Sequence, residues 1–339
     1  MKQVFIVGAG GPEKLQVRES KDPAPIGQQL RIRVKAAGIN FADILARQGL
    51  YPDAPKLPAV VGYEVSGIVD EAGPDVVAKD WVGKSVLALT RFSGYADTVV
   101  VPEHQVFAKP DKLSFEQAAA IPVNYLTAWQ LMVVVGALSK DDTVLIHNAG
   151  GGVGLAAIDV ARHVGARSIG TASKGKHAFL KAHGLGDAVD YTGGDWLPEV
   201  MRLTDEKGVE LILDPLGGSH WKKSYKALRH TGRLGMFGIS TATESSLPGP
   251  LRLISVGLGL PLFNPVSLMN QNRSVFGVNL GHLWHEPEKI AGWMRTILQG
   301  VEDGWVRPHV DQAFPLAQAG EAHAHIEARK NIGKVVLTA

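Results

Sequence analysis

The sequence Thr143-Val-Leu-Ile-His147, followed directly by Asn148-Ala-Gly-Gly-Gly-Val-Gly154 and then by an apolar stretch, decides the fold. A short buried strand, a tight glycine turn and a helix in this order form the context of a dinucleotide-binding fingerprint. Gly151 lets the backbone approach a pyrophosphate, Gly154 allows the helix to pack closely on the strand, and the helix N-terminus offers free amides to phosphate. Ala149 stands where the fingerprint usually has its first glycine. A purely structural glycine turn is the alternative, but the flanking strand and helix favour cofactor binding.

Strands and helices alternate along the chain from Thr143 onward. The predicted strands are 143–147, 168–172, 188–191, 211–214, 233–239 and 274–280. The predicted helices are 152–164, 176–183, 196–204, 220–228 and 286–302. This alternation predicts an α/β fold with a doubly wound parallel sheet and helices on both faces.

The first 120 residues are instead rich in short β-branched runs separated by Gly, Pro and Asp, which predicts a barrel-like β domain. Two helix-like segments, 115–120 and 126–135, follow these runs, and 333–338 is predicted to be a last strand. A second glycine-rich segment, Val7-Gly-Ala-Gly-Gly-Pro12, also follows a strand. The residues after it alternate as in a strand, so we predict a hairpin turn there and not a second cofactor site.

The strand after the glycine turn ends in Gly170-Thr-Ala-Ser-Lys-Gly-Lys176, without an acidic residue. NAD enzymes usually carry an acid about 20 residues after the glycines to bind the ribose 2′-hydroxyl. Ser173 and the two lysines can instead hold a 2′-phosphate through charge-assisted hydrogen bonds. A solvated helix start is the alternative, but a lysine there opposes the helix dipole, so NADP is the predicted cofactor.

Composition excludes several classes of protein. The chain has 339 residues, no cysteine and a formal net charge of +2. Disulfides, thiolate zinc sites and cysteine nucleophiles are therefore impossible, and scattered basic residues argue against nucleic-acid binding. Residues 1–11 are too polar for a signal peptide, and no apolar run reaches the roughly 18 residues that span a bilayer, so we expect a cytoplasmic protein without a transmembrane segment.

Several motifs along the whole chain resemble those of the zinc-independent medium-chain dehydrogenase/reductases, the quinone oxidoreductases, and within them the vesicle amine transport protein-like branch. The resemblance rests on Ala37–Asp43, Val61–Gly67, Gly94–Asp97, Ala119–Pro122, Leu126–Trp129, the glycine turn, Asp214–Gly218, Asn264–Leu268, Asn272–Gly277 and Gly333–Leu337. It implies a GroES-like β-rich catalytic domain over residues 1–124 and 283–339 and an NADP-binding Rossmann domain over residues 125–282.

The resemblance also implies which residues bind the cofactor. It places Asn40 and Thr127 by the nicotinamide and the turn from Ala149 through Gly151 and Gly152 to Val153 at the pyrophosphate. Ser173, Lys176 and Tyr191 would bind the 2′-phosphate end, although many members carry a lysine where this chain has His177. The rest of the cofactor would be lined by Leu216, Phe237, Gly238, Ile239 and Asn279.

Catalytic zinc has no suitable ligands in this sequence. Zinc members of the superfamily have a cysteine at the position of Asn40 and a histidine at that of Tyr63, and their four-cysteine lobe is missing between residues 89 and 101. His323 and His325 are interpreted as surface or packing residues. We therefore predict no metal site.

Without a metal, we predict that Asn40 donates a hydrogen bond to the substrate oxygen, with Tyr51 and Tyr63 as further candidate donors. Packing in place of the lost zinc ligand is an equally good interpretation of Tyr63. The proton can come from solvent, so no dedicated acid is needed. The cofactor is expected to bind in a cleft between the two domains. Positioning the quinone ring against the nicotinamide is expected to supply most of the rate enhancement.

These features predict an NADPH-dependent enzyme that transfers hydride to quinones or related electrophilic carbonyls. One alternative is an enoyl or 2-alkenal reductase on the same fold. A second alternative is an NADPH-binding protein with weak turnover that acts through membrane or partner contacts. The apolar segment Leu251–Phe263 is compatible with a lid, an interface, a peripheral membrane contact or ordinary buried helices. A homodimer is expected, paired through the strand 274–280.

Overall fold

The structure, a computed structural model, describes residues 1–78, 80–244, 257 and 259–339. The chain divides into two units, described separately below. The first unit comprises Met1–Leu126, Gly281–Glu302 and Pro308–Ala339, and the second comprises Thr127–Leu280 and Asp303–Arg307.

The sequence-based boundaries, 124/125 and 282/283, place every residue after 282 in the first unit, whereas residues 303–307 group with the second. Two contacts explain this grouping. The ring of Trp305 stacks on His163 with centroids 4.3 Å apart. Arg307 donates to Asp159 through its backbone N–H, at 3.0 Å, and through Nε, at 3.1 Å.

The first unit is rich in β-structure, as predicted. Its strands are β1 (Lys2–Ile6), β2 (Leu15–Glu19), β3 (Gln29–Gly38), β4 (Ala59–Val60), β5 (Glu64–Ala72), β6 (Ser85–Leu89), β7 (Thr98–Pro102), β8 (Val106–Ala108), β15 (Val310–Pro315) and β16 (Lys334–Thr338). In the described part of the unit, one sheet has the order β2-β1-β4, and a seven-stranded sheet has the order β15-β16-β3-β5-β6-β8 with β7 on β3. β1 and β2 pair antiparallel, so residues 7–12 close a hairpin and that prediction is confirmed.

The second unit contains a parallel sheet. Its strands are β9 (Thr143–Ile146), β10 (Arg167–Ala172), β11 (Asp187–Asp190), β12 (Val209–Asp214), β13 (Leu228–Met236) and β14 (Ser274–Gly277). The order among described residues is β11-β10-β9-β12-β13-β14, and every pair is parallel. The chain first runs from β9 to β11 and then returns through β12 to β14. Right-handed crossovers in a sheet of this order place helices on both faces, which confirms the doubly wound fold.

In the described part of the chain, the following helices connect these strands or follow them. They are α1 (Phe41–Arg47), α2 (Phe115–Ala119), α3 (Pro122–Trp129), α4 (Gly152–Val164), α5 (His177–His183), α6 (Trp196–Leu203), α7 (Ser219–Lys226), α8 (Pro265–Gln271), α9 (Pro287–Glu302) and α10 (Ala319–Glu327). No helix in the described ranges is both long enough and apolar enough to cross a bilayer.

Several elements differ from the prediction. The strand expected over 233–239 is β13, which begins at Leu228 and ends at Met236. β14 ends at Gly277 and not at residue 280, because its neighbour β13 ends at Met236, whose carbonyl accepts the Val278 N–H at 2.9 Å as the last backbone bond between them. The expected helix 126–135 is the end of α3 followed by a π-helical turn, Gln130–Val135. α8 lies between the predicted strands 233–239 and 274–280, where no helix was predicted, and Asn264 caps its first turn by accepting from two backbone N–H groups.

The apolar segment Leu251–Phe263 falls largely outside the described residues, because 251–256 and 258 are not among them. The hypotheses of a lid, an interface or a membrane contact for this segment therefore stay predictions.

Candidate active site

The glycine turn between β9 and α4 has the geometry of a phosphate cradle. Gly151 is the N-cap of α4, so the amides of Gly152 and Val153 belong to the first turn, whose N–H groups have no intrahelical acceptor. A Cβ built on Gly154 would lie 2.5 Å from the carbonyl oxygens of Asn148 and Ala149. Only glycine fits there, and the residues present suit a dinucleotide pyrophosphate.

The structure explains why Ala149 can replace the usual first glycine. Asn148, with φ of 53°, takes the left-handed conformation that the tight turn requires. Ala149 is fully buried and donates its N–H to Thr171 O at 3.1 Å. A Cβ on Gly170 would come within 2.7 Å of the Ala149 methyl group, so the missing side chain on β10 makes room for the extra methyl.

The residues predicted for the 2′-phosphate follow β10 and β11. Ser173 precedes a 3₁₀ turn, Lys174–Lys176, and its carbonyl accepts the Lys176 N–H at 2.9 Å. His177, at the position where many relatives were expected to carry a lysine, bonds the carbonyl of Ala172 through Nε2 at 3.0 Å. The Nε2 atom of His177 therefore already has a backbone hydrogen-bond partner in this structure. Tyr191 is half-buried and packs against the hydrophobic core of the second unit.

The remaining predicted cofactor residues of this unit lie mostly at one edge of the sheet. Leu216, Phe237–Ile239 and Asn279 follow the carboxyl ends of β12, β13 and β14. In a doubly wound sheet this edge, at the point where the strand order reverses, is where ligands bind. Thr127 differs, because it lies on α3 with its side chain 7% exposed.

A buried polar network supports this edge. Asp214 accepts hydrogen bonds from Leu216 N at 2.8 Å and from the Ser224 hydroxyl at 2.6 Å, and it bonds His220 Nδ1 at 2.7 Å. Burial opposes ionisation, but the bonds with His220 and Ser224 hold the pKa of Asp214 below its usual value. The loop that carries Leu216 is thus anchored to an ionised carboxylate.

The same network fixes the state of two histidines. Trp196 Nε1 donates to His220 Nε2 at 3.1 Å, so His220 carries its proton on Nδ1, facing Asp214. Since Ser224 gives its proton to Asp214, His147 Nε2 must donate to Ser224 Oγ, at 3.2 Å. Burial lowers the pKa of His147 to about 3, so this ring is neutral.

His147, Asp214 and His220 bring three potential metal-ligand atoms within 4.8 Å of one another. The donor set does not fit an ion, however. Each imidazole nitrogen already bonds a neighbour: Thr171 and Ser224 on His147, Trp196 and Asp214 on His220. We interpret the trio as a structural network.

The three predicted catalytic residues all lie in the first unit. Asn40 is half-buried and is the N-cap of α1. Tyr63 is 8% exposed and packs edge-on against Tyr51, with ring centroids 6.4 Å apart, and against Phe92 at 5.1 Å. Burial and a hydrogen bond with Tyr51 raise the pKa of Tyr63 above its ordinary value. Tyr63 therefore stays protonated and can donate but cannot act as a base.

Asp43 ties Asn40 to the turn that precedes Tyr63. Its carboxylate accepts the N–H groups of Asn40 at 2.8 Å and Gly62 at 3.1 Å, and the Tyr95 hydroxyl at 3.1 Å. Burial raises the pKa of Asp43 to about 7 although these bonds and the charge of Lys334 lower it. The sequence motif containing Asp43 gave no hint of this role.

Two further charged residues surround the Asn40 side chain, and sequence reasoning missed both. Lys334 Nζ donates to Asn40 Oδ1 at 2.7 Å, and Asn40 Nδ2 donates to Glu64 Oε1 at 3.1 Å. Lys334 and Glu64 also form an ion pair. Only Lys334 carried a local signal, as a charged residue at the start of a strand whose next three residues are apolar; β5, which begins at Glu64, also contains Asp70 and Glu71.

His323 and His325 have structural partners, in line with their interpretation as packing or surface residues. His323 is fully buried and bonds the Tyr95 hydroxyl through Nε2 at 2.9 Å. Burial, with the nearby charge of Arg47, lowers the pKa of His323 to about 3. His325 pairs with Asp311 at 2.7 Å.

Comparison with known proteins identifies the family. The alcohol dehydrogenase GroES-like domain matches residues 27–111, and the zinc-binding dehydrogenase family matches residues 183–337. The human synaptic vesicle membrane protein VAT-1 homolog is 36% identical over 345 residues, which cover 99% of this chain and 86% of that protein. The chain belongs to the quinone oxidoreductase-like family of zinc-independent medium-chain dehydrogenase/reductases. It is therefore an oxidoreductase, and the predicted family and GroES-like plus Rossmann fold are confirmed.

Other members of the superfamily agree with this assignment. The quinone oxidoreductase of Pseudomonas aeruginosa is 31% identical over 339 residues, which cover 99% of each protein. The structure of Escherichia coli quinone oxidoreductase complexed with NADPH has a TM-score of 0.87 and 27% identity, and the match covers 100% of both chains. The structure of CurK enoyl reductase has a TM-score of 0.86 and 25% identity over 99% of this chain and 98% of that one.

Proposed function

We propose that this oxidoreductase uses NADPH to reduce quinones or related electrophilic carbonyls. The observation that carries the cofactor choice is the end of β10, where an acid is missing and Lys176 follows Ser173. The Escherichia coli relative bound to NADPH and the quinone oxidoreductase of Pseudomonas aeruginosa support both parts of the proposal.

In this proposal NADPH supplies the hydride, and the protein binds and orients the reactants. The first turn of α4 holds the pyrophosphate, and Ser173 and Lys176 hold the 2′-phosphate. Asn40 Nδ2 donates to the acceptor oxygen, where negative charge develops as hydride adds. Tyr51 and Tyr63 are further donors. The aromatic product of quinone reduction stabilises the negative charge on the acceptor oxygen, so no dedicated acid is needed and the proton comes from solvent.

An enoyl or 2-alkenal reductase is the second candidate, supported by the similarity to CurK enoyl reductase. It uses the same cofactor residues and differs in the acceptor. The relatives described as synaptic vesicle membrane proteins motivate a third candidate, an NADPH-binding protein with weak turnover and membrane contacts. Exposed apolar side chains near the undescribed segment, Leu262 at 99% and Met269 at 74%, are compatible with such contacts.

We also propose a cytoplasmic homodimer. β14 is the edge strand of the described sheet in the second unit, and its free edge can pair with a second copy. Light scattering combined with size exclusion distinguishes a dimer from a monomer.

The acceptor is tested by measuring NADPH oxidation with phenanthrenequinone and with a 2-alkenal, each over a range of concentrations. We expect a higher kcat/KM with the quinone. A higher value with the alkenal overturns the quinone proposal in favour of the second candidate. Tight NADPH binding without turnover on either acceptor, together with binding to liposomes, favours the third.

A further inference from the structure

The side-chain amide of Asn40 is held in a single orientation by two charged groups. Lys334 Nζ faces Asn40 Oδ1 at 2.7 Å, and Glu64 Oε1 faces Asn40 Nδ2 at 3.1 Å. An ammonium group can only donate, and a carboxylate can only accept. The flipped amide would place N–H against N–H on one side and oxygen against oxygen on the other.

The structure makes room for this charged pair inside the first unit. The side chains of Lys334 and Glu64 are 3% and 0% exposed. Glu64 Oε2 also accepts the Val123 N–H at 2.7 Å. A Cβ built on Gly38 would lie 2.6 Å from Glu64 Oε1 and 2.7 Å from Lys334 Cε, so this position must lack a side chain. Apolar residues of similar volume often stabilise a fold as well as a buried ion pair does, which points to a role other than stability.

The arrangement leaves one strong donor available. Asn40 Nδ2 has two hydrogens and Glu64 accepts one; no hydrogen bond with a described residue uses the other. Asn40 is half-buried, whereas Lys334 and Glu64 are buried, so Asn40 is the member of the trio that can meet a substrate. The ammonium on Oδ1 polarises the amide and strengthens its N–H as a donor.

We infer that Lys334 and Glu64 are positioning residues that present the second Nδ2 hydrogen of Asn40 to the oxygen of the electrophile. This inference rests on the proposed function and deepens it. Neither residue touches the substrate, and both act through Asn40. An amide held in this way supplies a neutral donor where negative charge develops on the acceptor oxygen.

Glu64→Gln is expected to change the orientation of the Asn40 amide, and the substituted side chain has nearly the same size. The glutamine amide introduced by this substitution keeps its oxygen for the Val123 N–H and turns its NH₂ group toward Asn40. The Asn40 amide is then favoured on the Glu64 side in the flipped orientation, which the charge of Lys334 opposes. Removing both charges in Lys334→Met/Glu64→Gln also removes that opposition and leaves no buried unpaired charge.

The test compares kcat and KM for phenanthrenequinone, and Kd for NADPH, in the wild-type background and in the Asn40→Ala background. We expect Lys334→Met/Glu64→Gln to lower kcat/KM by about ten- to a hundredfold when Asn40 is present. With Asn40→Ala we expect less than about a twofold further loss, because coupled residues are not additive. An equal loss in both backgrounds, or no loss with Asn40 present, overturns the inference.

Two controls keep the outcome decisive. If NADPH affinity shows that the double variant does not fold, Glu64→Gln alone is compared in the same two backgrounds, with the same expectation. If the wild-type protein reduces no acceptor, the proposed function fails and the orientation is read by NMR of ¹⁵N-asparagine-labelled protein. The Asn40 NH₂ signal, assigned by its loss in Asn40→Ala, should move in Glu64→Gln, and an unmoved signal overturns the inference.

Discussion

The side chain of Lys176 lies over Gly150 in the glycine turn of the second unit. A Cβ built on Gly150 would lie 2.9 Å from Lys176 Cδ and 3.6 Å from Nζ. The lysine after β10 therefore lies next to the glycine turn before α4. Gly150 makes this approach possible because it has no side chain.

Lys176→Ala should weaken NADPH binding more than NADH binding. A hydrogen bond to a charged group contributes about 1.5–3 kcal/mol, so we expect KM for NADPH to rise roughly ten- to a hundredfold. KM for NADH should change little, because NADH lacks the 2′-phosphate. Lys181→Ala removes the same charge from an exposed position on α5 and is the matched control. Equal effects of Lys176→Ala on the two cofactors would contradict this role.

Gly154→Ala should damage both stability and cofactor binding. The new methyl group would lie 2.5 Å from two backbone oxygens, so α4 must move away from the turn. We expect a loss of about 1–3 kcal/mol in the free energy of unfolding, and weaker NADPH binding. Gly292→Ala is the control, because that helical glycine has its nearest neighbour atom at 3.8 Å. Calorimetry and NADPH titration measure the two effects, and unchanged binding in Gly154→Ala would count against the cradle.

Asp43 should make stability depend on pH. Burial raises its pKa in the folded protein from 3.8 to about 7, so the folded state holds a proton that the unfolded chain releases. The contribution of Asp43 to the free energy of unfolding therefore falls as pH rises from about 4 to about 7 and levels off above that, with an upper limit of about 4 kcal/mol. Asp43→Asn should show a smaller decrease in Tm between pH 5 and pH 8 than the wild type. Parallel pH profiles for the two proteins would refute this assignment.

Metal removal should have no effect on the second unit. Asp214 already bonds His220 and Ser224, and the His147 nitrogens bond Thr171 and Ser224. We expect the same Tm and NADPH oxidation rate before and after treatment with a chelator, and no increase in Tm on adding Zn²⁺. A Tm that falls with chelator and recovers with Zn²⁺ would show that the trio holds an ion.

The fold could be predicted mainly where one local pattern carries the information. The expected helix 152–164 and the observed α4 coincide, because a glycine turn precedes the apolar stretch and Gly165, with φ of 85°, ends it. α1 and α8, with seven residues each, were not predicted. The Asn264-Pro265 pair was an available start signal for α8.

The cofactor-binding part of the candidate site could be predicted from local sequence, whereas the surroundings of Asn40 could not. The glycine turn is one short continuous segment of sequence, and the lysines after β10 lie in another. The chemistry of each segment could therefore be recognised directly from the sequence. The surroundings of Asn40 come from distant parts of the chain: Lys334 lies 294 positions away. One partner of Asp43 is local, because the Asn40 N–H belongs to a capping box at the start of α1. The Gly62 N–H and the Tyr95 hydroxyl, 52 positions away, are set by tertiary packing, and no local pattern could indicate these distant contacts.

The central claim is tested most directly by the ratio of kcat/KM for NADPH to that for NADH with the same quinone acceptor. We predict quinone reduction with a ratio above about ten, because one charge-assisted contact to the 2′-phosphate supplies at least a tenfold preference. A ratio near or below one, or no reduction of the quinone with either cofactor, would contradict the account.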